Sequence, residues 1–265
     1  MRPFATFTDD ERDELRDRLS DPGIPSPYQD YPLFSQAVAA LQVPTWMAEI
    51  GARIRRERAD GLAGAHVLRN CPVDEVVPEL GNDDPVADKY ARKKTFVAEA
   101  FLEMFARCTG TPLLAYGSRN NGDFFTDVVA IDRYRGMQTG FSDSELVYHN
   151  DRTAHSVRAD HITLLGMRCP EEELVYTGFV DGRSLLEQLG ERDRQVLRRH
   201  YFVTPFDVFS RDANSRQIVS EEHPILENEY SFRYLDATTT VAPGSPPEAK
   251  DALLAMRNAL TRAPK

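Results

Sequence analysis

Gly110-Thr111-Pro112 divides this chain into two patterns, and that division limits the possible folds more than any other feature. Ahead of it, Phe96, Ala100, Phe101, Met104 and Phe105 fall on one face of a helix expected over residues 95–108. Behind it, residues 113–116, 124–130 and 162–167 alternate in the manner of half-buried strands. Glycine and proline together stop the helix, so the apolar period changes there from 3.6 residues to two. Three further helices are expected upstream. Thr8 with Glu11 forms a capping box that opens residues 9–19, and the Pro- and Gly-rich cluster at 22–27 ends that helix. A second covers residues 31–41, and Pro44 provides a first-turn position for a third over 45–58, where Trp46, Ile50 and Ile54 recur at helical spacing. These stripes are core, not cofactor sites. The Gly- and Ser-containing stretch 133–143 is the expected mobile lid, and no internal repeat is present.

A length of 265 residues with 41% hydrophobic content suits one large domain with a buried core. The formal charge of -10 argues against nucleic acid and anionic membrane as partners, since both repel an acidic surface. Cys71, Cys108 and Cys169 have neither zinc nor disulfide-ladder spacing and read as reduced core thiols. No apolar run reaches the length of a membrane span, and the N-terminus lacks a signal-peptide core. A cytoplasmic protein is expected, with homo-oligomer formation left open.

Chemistry concentrates at His149-Asn150-Asp151. A His and a carboxylate two residues apart can ligate one metal, and they make up two thirds of the facial triad that leaves open positions on Fe(II). With six His in an acidic chain, about one such spacing arises by chance, and a solvated turn pair is the alternative. Context favours ligation. A strand expected over residues 158–168 follows, then an acidic turn at Glu171, Glu172 and Glu173, a second strand over 174–180, and a helix opening at Asp181.

That order resembles the clavaminate synthase-like branch of the taurine dioxygenase superfamily, non-haem iron oxygenases that include amino-acid hydroxylases. Other segments resemble it too. Gly64-Ala-His-Val-Leu-Arg-Asn-Cys-Pro-Val-Asp-Glu75 is similar to its first strand, and Asp123-Phe-Phe-Thr-Asp-Val-Val129 to the strand before its lid. Ser231-Phe-Arg-Tyr-Leu-Asp-Ala-Thr-Thr239 resembles its substrate loop, and residues 247–260 the helix after that loop. The likeness spans most of residues 60–260. It implies an α+β fold in a single oxygenase-like domain over 1–265, with a helical layer at about 1–110 and a double-stranded β-helix (jelly-roll) at about 111–265. The family places its distal His ligand and a 2-oxoglutarate-binding Arg in strands after that last helix, so the resemblance implies that these C-terminal strands are missing here. His223, with Arg233 ten residues on, is the weak substitute for that pair.

The resemblance implies Fe(II), 2-oxoglutarate and O₂ acting on a free L-amino acid, arginine being one candidate, in specialised metabolism such as antibiotic biosynthesis. His149 and Asp151 become metal ligands, and an acid at the second position implies hydroxylation or desaturation rather than halogenation. Thr177 either hydrogen-bonds the cosubstrate carboxylate or is an ordinary strand residue. Asp236 lies where arginine-hydroxylating relatives face the guanidinium, although their acidic pair is here a single residue. Thr126 and Asp127 either hold a substrate amino group or cap a strand end. Two other readings stay open. One is a non-catalytic, truncated binding module with an exposed sheet edge. The other is a different metal-dependent lyase or hydrolase using His149, Asp151, His155 and His161, whose spacing matches no closed zinc pattern.

Overall fold

A computed structural model describes residues 4–117, 119–168, 176–213, 216 and 218–264. The chain clusters into two compact units, one drawn from Met1–Arg133 and His161–Val175, the other from Tyr134–Asp160 and Tyr176–Lys265.

The first unit rests on helices α1 (Asp9–Leu19), α2 (Tyr31–Ala40), α3 (Thr45–Ala59), α4 (Pro85–Arg92) and α5 (Val97–Thr109). Local chemistry starts three of them. The Thr8 hydroxyl accepts from the Glu11 N–H at 3.2 Å while Glu11 accepts from the Thr8 N–H at 2.7 Å, which completes the expected capping box. Asp30 and Asp84 cap α2 and α4 by accepting from the N–H groups of Leu33 and Ala87, each at 2.9 Å. α5 ends at Gly110 in the left-handed conformation, φ 67°, as the break in periodicity predicts. It packs against α1, α2 and α3, and it buries Ala100, Phe101 and Met104 in their common core. α3 comes close where Gly51 meets Cys108. A Cβ at Gly51 would stand 2.6 Å from the Cys108 carbonyl oxygen, so only glycine permits this approach.

Strands of the length predicted after residue 112 do not form among the described residues. β1 (Ala5–Thr6) pairs in parallel with β2 (Leu68–Arg69), the one ladder contributed by the segment at 64–75. Residues 113–116, 124–130 and 162–167 form no strand and join no ladder. A ladder needs a neighbour in register; here the inward side chains Leu113, Phe124, Phe125 and Leu165 lie on the helical core, while Leu114, Val128, Ile162 and Leu164 face solvent. Burial alternates only in part: the adjacent Phe124 and Phe125 both face the core, and residues 161–164 are all exposed. Of the strand expected over 174–180, residues 176–180 form no ladder; Leu174, Val175, the acidic turn and Cys169 lie outside the described residues.

The second unit holds α6 (Gly182–Glu187), α7 (Glu191–Leu197), α8 (Val208–Ala213) and α9 (Glu248–Arg262), with β3 (Phe202–Val203) antiparallel to β4 (Thr240–Val241). Asp181 caps α6 through the N–H groups of Arg183 and Ser184. The expected terminal helix is α9, which buries Ala249, Ala252, Met256 and Ala259 against α7, α6 and β4. The expected lid, 133–143, is pinned: Tyr134 is 1% exposed and donates to Asp212 at 2.8 Å, and Phe141 stacks on Phe209 at 4.7 Å. Burial of two rings outweighs its loop-like composition. Among the described residues, no helix is long and apolar enough to cross a membrane.

Candidate metal centre

Within the second unit, residues 148–150 run antiparallel to 234–236. The Asn150 N–H donates to the Tyr234 carbonyl at 3.0 Å, the Tyr234 N–H to the Asn150 side chain at 3.1 Å, and the Asp236 N–H to the Tyr148 carbonyl at 3.0 Å. His149 is bridged to Leu235 at the centre of this pairing. The segment that resembles the family's substrate loop is therefore the direct neighbour of the His-x-Asp pair. Gly178 adjoins it as well: a Cβ there would lie 2.5 Å from the Tyr148 hydroxyl.

His149 and Asp151 converge. Nδ1 of His149 lies 2.7 Å from the Val147 carbonyl, which only accepts, so Nδ1 carries a proton and Nε2 is the outward-facing nitrogen. That Nε2 stands 3.3 Å from Oδ1 of Asp151. The hydrogen bond with Asp151 is the main force raising the His149 pKa above its ordinary value, against an opposing push from burial. The two side chains are 31% and 54% exposed, so a ligand can reach them. A fixed Nδ1 proton, with Nε2 paired to a carboxylate oxygen, forms a donor set that fits a divalent metal, which would displace the proton on Nε2. No third His, Cys, Asp or Glu completes a metal cluster among the described residues.

His223 is not that third ligand. It is 1% exposed; Nδ1 donates to the Pro224 carbonyl at 2.9 Å and Nε2 accepts from Thr204 at 3.0 Å, so both nitrogens are engaged. Burial lowers its pKa to about 4. Arg233 is also occupied. Its guanidinium donates to the carbonyls of Thr153 at 2.8 Å, His155 at 3.0 Å and Ala154 at 3.4 Å. The spacing of ten residues placed these two correctly in sequence but could not show that their polar atoms point into the protein.

The local four-residue cluster is not assembled either. His155 faces Ser210 at 3.3 Å and packs edge-on against Phe206, whereas His161 belongs to the first unit, 3.5 Å from Arg58. Thr177 is exposed, one residue before Gly178. Asp236 is half-buried and accepts from the Tyr234 hydroxyl at 2.6 Å.

Thr126 and Asp127 fall in the first unit. Thr126 accepts from Asn120 at 2.9 Å. Lys93 bridges Asp127 at 2.7 Å and Glu99 at 2.6 Å, and Tyr28 also donates to Glu99 at 2.6 Å. Burial pushes the Lys93 pKa down, but the two carboxylates outweigh it and the net shift is upward. Beside it Lys89 meets Asp123 at 2.5 Å. Oε2 of Glu99 and Oδ2 of Asp127 are buried without a hydrogen-bond partner. Composition alone gives no hint of this ionic core, in which Lys89 stands on α4 and Lys93 caps its C-terminal end.

No protein-family model matches the chain, and no curated protein sequence does. Solved structures do. An asparagine oxygenase in complex with Fe(II), 3-hydroxyasparagine and succinate superposes with a TM-score of 0.76 at 21% identity, over 98% of this chain and 81% of that one. The non-heme iron oxygenase OrfP in complex with Fe and alpha-ketoglutaric acid gives 0.71 at 16% identity, over 98% and 80%. OrfP with Fe, succinate and (3S)-hydroxy-L-Arg gives 0.71 at 16%, over 97% and 79%. The chain has the fold of these iron- and 2-oxoglutarate-dependent amino-acid oxygenases.

Proposed function

We propose that this protein binds Fe(II) through His149 and Asp151 and oxygenates a free L-amino acid with 2-oxoglutarate and O₂. The convergence of Nε2 and Oδ1 at 3.3 Å, with Nδ1 already committed to a carbonyl, carries the reading. Fold likeness to oxygenases crystallised with iron and 2-oxoglutarate or its product supports it. On this reading the segments at 113–116, 124–130, 162–167 and 176–180 are counterparts of jelly-roll strands.

Bound iron and 2-oxoglutarate supply the oxidising chemistry. The chain's own residues hold and orient. His149 gives a neutral imidazole donor whose tautomer Val147 fixes, and Asp151 gives a charged oxygen beside it. An acid at that position leaves no vacancy for halide, so the product is a hydroxylated or desaturated amino acid. Thr177, one residue from the glycine that packs on Tyr148, is the residue to which this reading gives the hydrogen bond to the cosubstrate. Asp236, one residue past the partner of His149, is the residue to which this reading gives a polar or cationic substrate side chain. Thr126 and Asp127, the residues that the resemblance implied for the substrate amino group, lie in the first unit, where Lys93 holds Asp127. Incubation with Fe(II), 2-oxoglutarate and single amino acids, arginine and asparagine first, should release succinate only with the true substrate. Wild-type protein that fails to bind Fe(II) more tightly than His149→Ala would sink the proposal.

One observation favours a second reading, a non-catalytic binding module. Leu114 is 48% exposed, Ile162 51%, Val128 62% and Leu164 69%, all on segments outside any ladder, whose backbone groups could accept another strand. A module of this kind would self-associate or capture an extended peptide and would bind no Fe(II).

A further inference from the structure

We infer that Arg233 is a positioning residue that sets the orientation of Asp151 toward His149, an inference that rests on the metal site proposed above. After Asp151 the chain turns sharply. Arg152 takes φ 56°, a left-handed conformation that costs a non-glycine residue about 1 kcal/mol or more, and the Thr153 hydroxyl folds back onto the Asn150 carbonyl. Such a turn exposes successive carbonyls that no ladder can satisfy. Three of them, at Thr153, Ala154 and His155, point at one guanidinium. Arginine presents five donors in a rigid planar fork, and here two of its nitrogens, Nε and Nη2, reach the three carbonyls.

Register makes the clamp specific to this pair. Arg233 stands next to Tyr234, whose N–H and carbonyl both bond Asn150, and two residues before Leu235, the partner of His149. One short segment thus grips the His149-Asn150-Asp151 unit from both sides: its backbone holds His149, and its arginine holds the turn that aims Asp151. Arg233 is 5% exposed, so its charge sits in this buried position although the nearest carboxylate, Glu221, is 3.9 Å away. Removing a charge from water is expensive, and the three carbonyl contacts, together with Glu221 at 3.9 Å, offset it here.

Cobalt(II) binding provides the test, read by the visible absorption of the bound metal, for wild type, Arg233→Lys, Arg233→Gln and His149→Ala. Hydrogen exchange of the metal-free proteins is measured alongside. Arg233→Gln should bind cobalt(II) about tenfold or more weakly, with shifted bands, as loss of a group that orients a ligand does. Arg233→Lys should show the same defect, because a single nitrogen cannot occupy the positions of both Nε and Nη2. Amides at 151–155 should exchange faster in both, with those of β3 and β4 unchanged. Wild-type affinity and spectrum in both arginine variants would overturn the inference while leaving the metal site standing. Equal binding by wild type and His149→Ala would remove the metal site and the positioning role together. Should Arg233→Gln not fold, Arg233→Lys decides.

Discussion

Lys89 and Lys93 in the first unit, with side chains 2% and 6% exposed, meet carboxylates at 2.5–2.7 Å; Arg233 in the second, equally buried, meets peptide carbonyls. The difference follows from secondary structure. Five helices satisfy their own interior backbone, so buried side chains packed beside them are free to pair with one another. Around His149 the elements are two residues long or single bridges, and side chains must supply what ladders do not. Asn150, Thr153, Thr239 and Arg233 each bond a main-chain group there. A unit of the first kind should tolerate loss of surface polar groups, whereas one of the second kind keeps its site only while those side chains remain.

The largest effect should come from His149→Ala, which removes the nitrogen donor and abolishes Fe(II) binding in a titration. Because that side chain is partly exposed and outside the apolar clusters, thermal stability should change by less than about 1 kcal/mol. Coupled loss of binding and folding would show that the pair is structural. In the first unit the strongest break is Lys93→Met, which leaves Glu99 and Asp127 buried without their cation. Breaking one partner of a buried ion pair costs about 3–5 kcal/mol, so urea unfolding should shift far toward lower denaturant. An unchanged midpoint would mean that the ionic core contributes little.

Two histidines of the second unit sharpen the comparison through pH. His223 titrates near 4 when folded and at its ordinary 6.5 when unfolded, so the unfolded chain takes the proton first. Stability should be flat above about 6.5, fall as pH drops toward 4, and level off below, a loss on the order of 3 kcal/mol. His149 has the opposite sign: its raised pKa adds stability at low pH that is lost as pH rises through the folded value. Unfolding free energies of the metal-free protein from pH 7.5 to 4 should therefore decline, and His223→Gln should flatten the decline. A decline of equal slope in that variant would assign it to carboxylates elsewhere.

Sequence reading succeeded where the determinants are local. Thr8 and Glu11, the run of apolar residues in α5, Gly110 and the two-residue spacing of His149 and Asp151 each act within a turn or two. It failed where the outcome depends on distant partners. Residues 113–116 and 162–167 alternate as strands do, but pairing is decided by what lies alongside. His223 and Arg233 carry the right chemistry, and only the fold shows Thr204 and three carbonyls occupying them. α4 was legible and overlooked: Asp84 before Pro85 is a cap followed by a first-turn proline.

The smallest effect expected tests whether the two units are independent. Thr8→Ala deletes the hydroxyl that accepts from Glu11 and releases the reciprocal bond from the Thr8 N–H, at the surface and within the first unit. Loss of an N-cap side chain costs about 1 kcal/mol, which for a chain of this size lowers the melting temperature by a few degrees. α1 buries Leu15 and Leu19 against the same core as α5, so the penalty should reach the whole first unit rather than fray one helix end. No residue of the His149 pairing contributes to that core. Fe(II) affinity of Thr8→Ala should accordingly equal wild type at temperatures below the transition. Weakened metal binding with an intact melting profile would show that the capped helix and the metal pair are coupled, and that the division between a self-sufficient helical unit and a side-chain-held site is drawn in the wrong place.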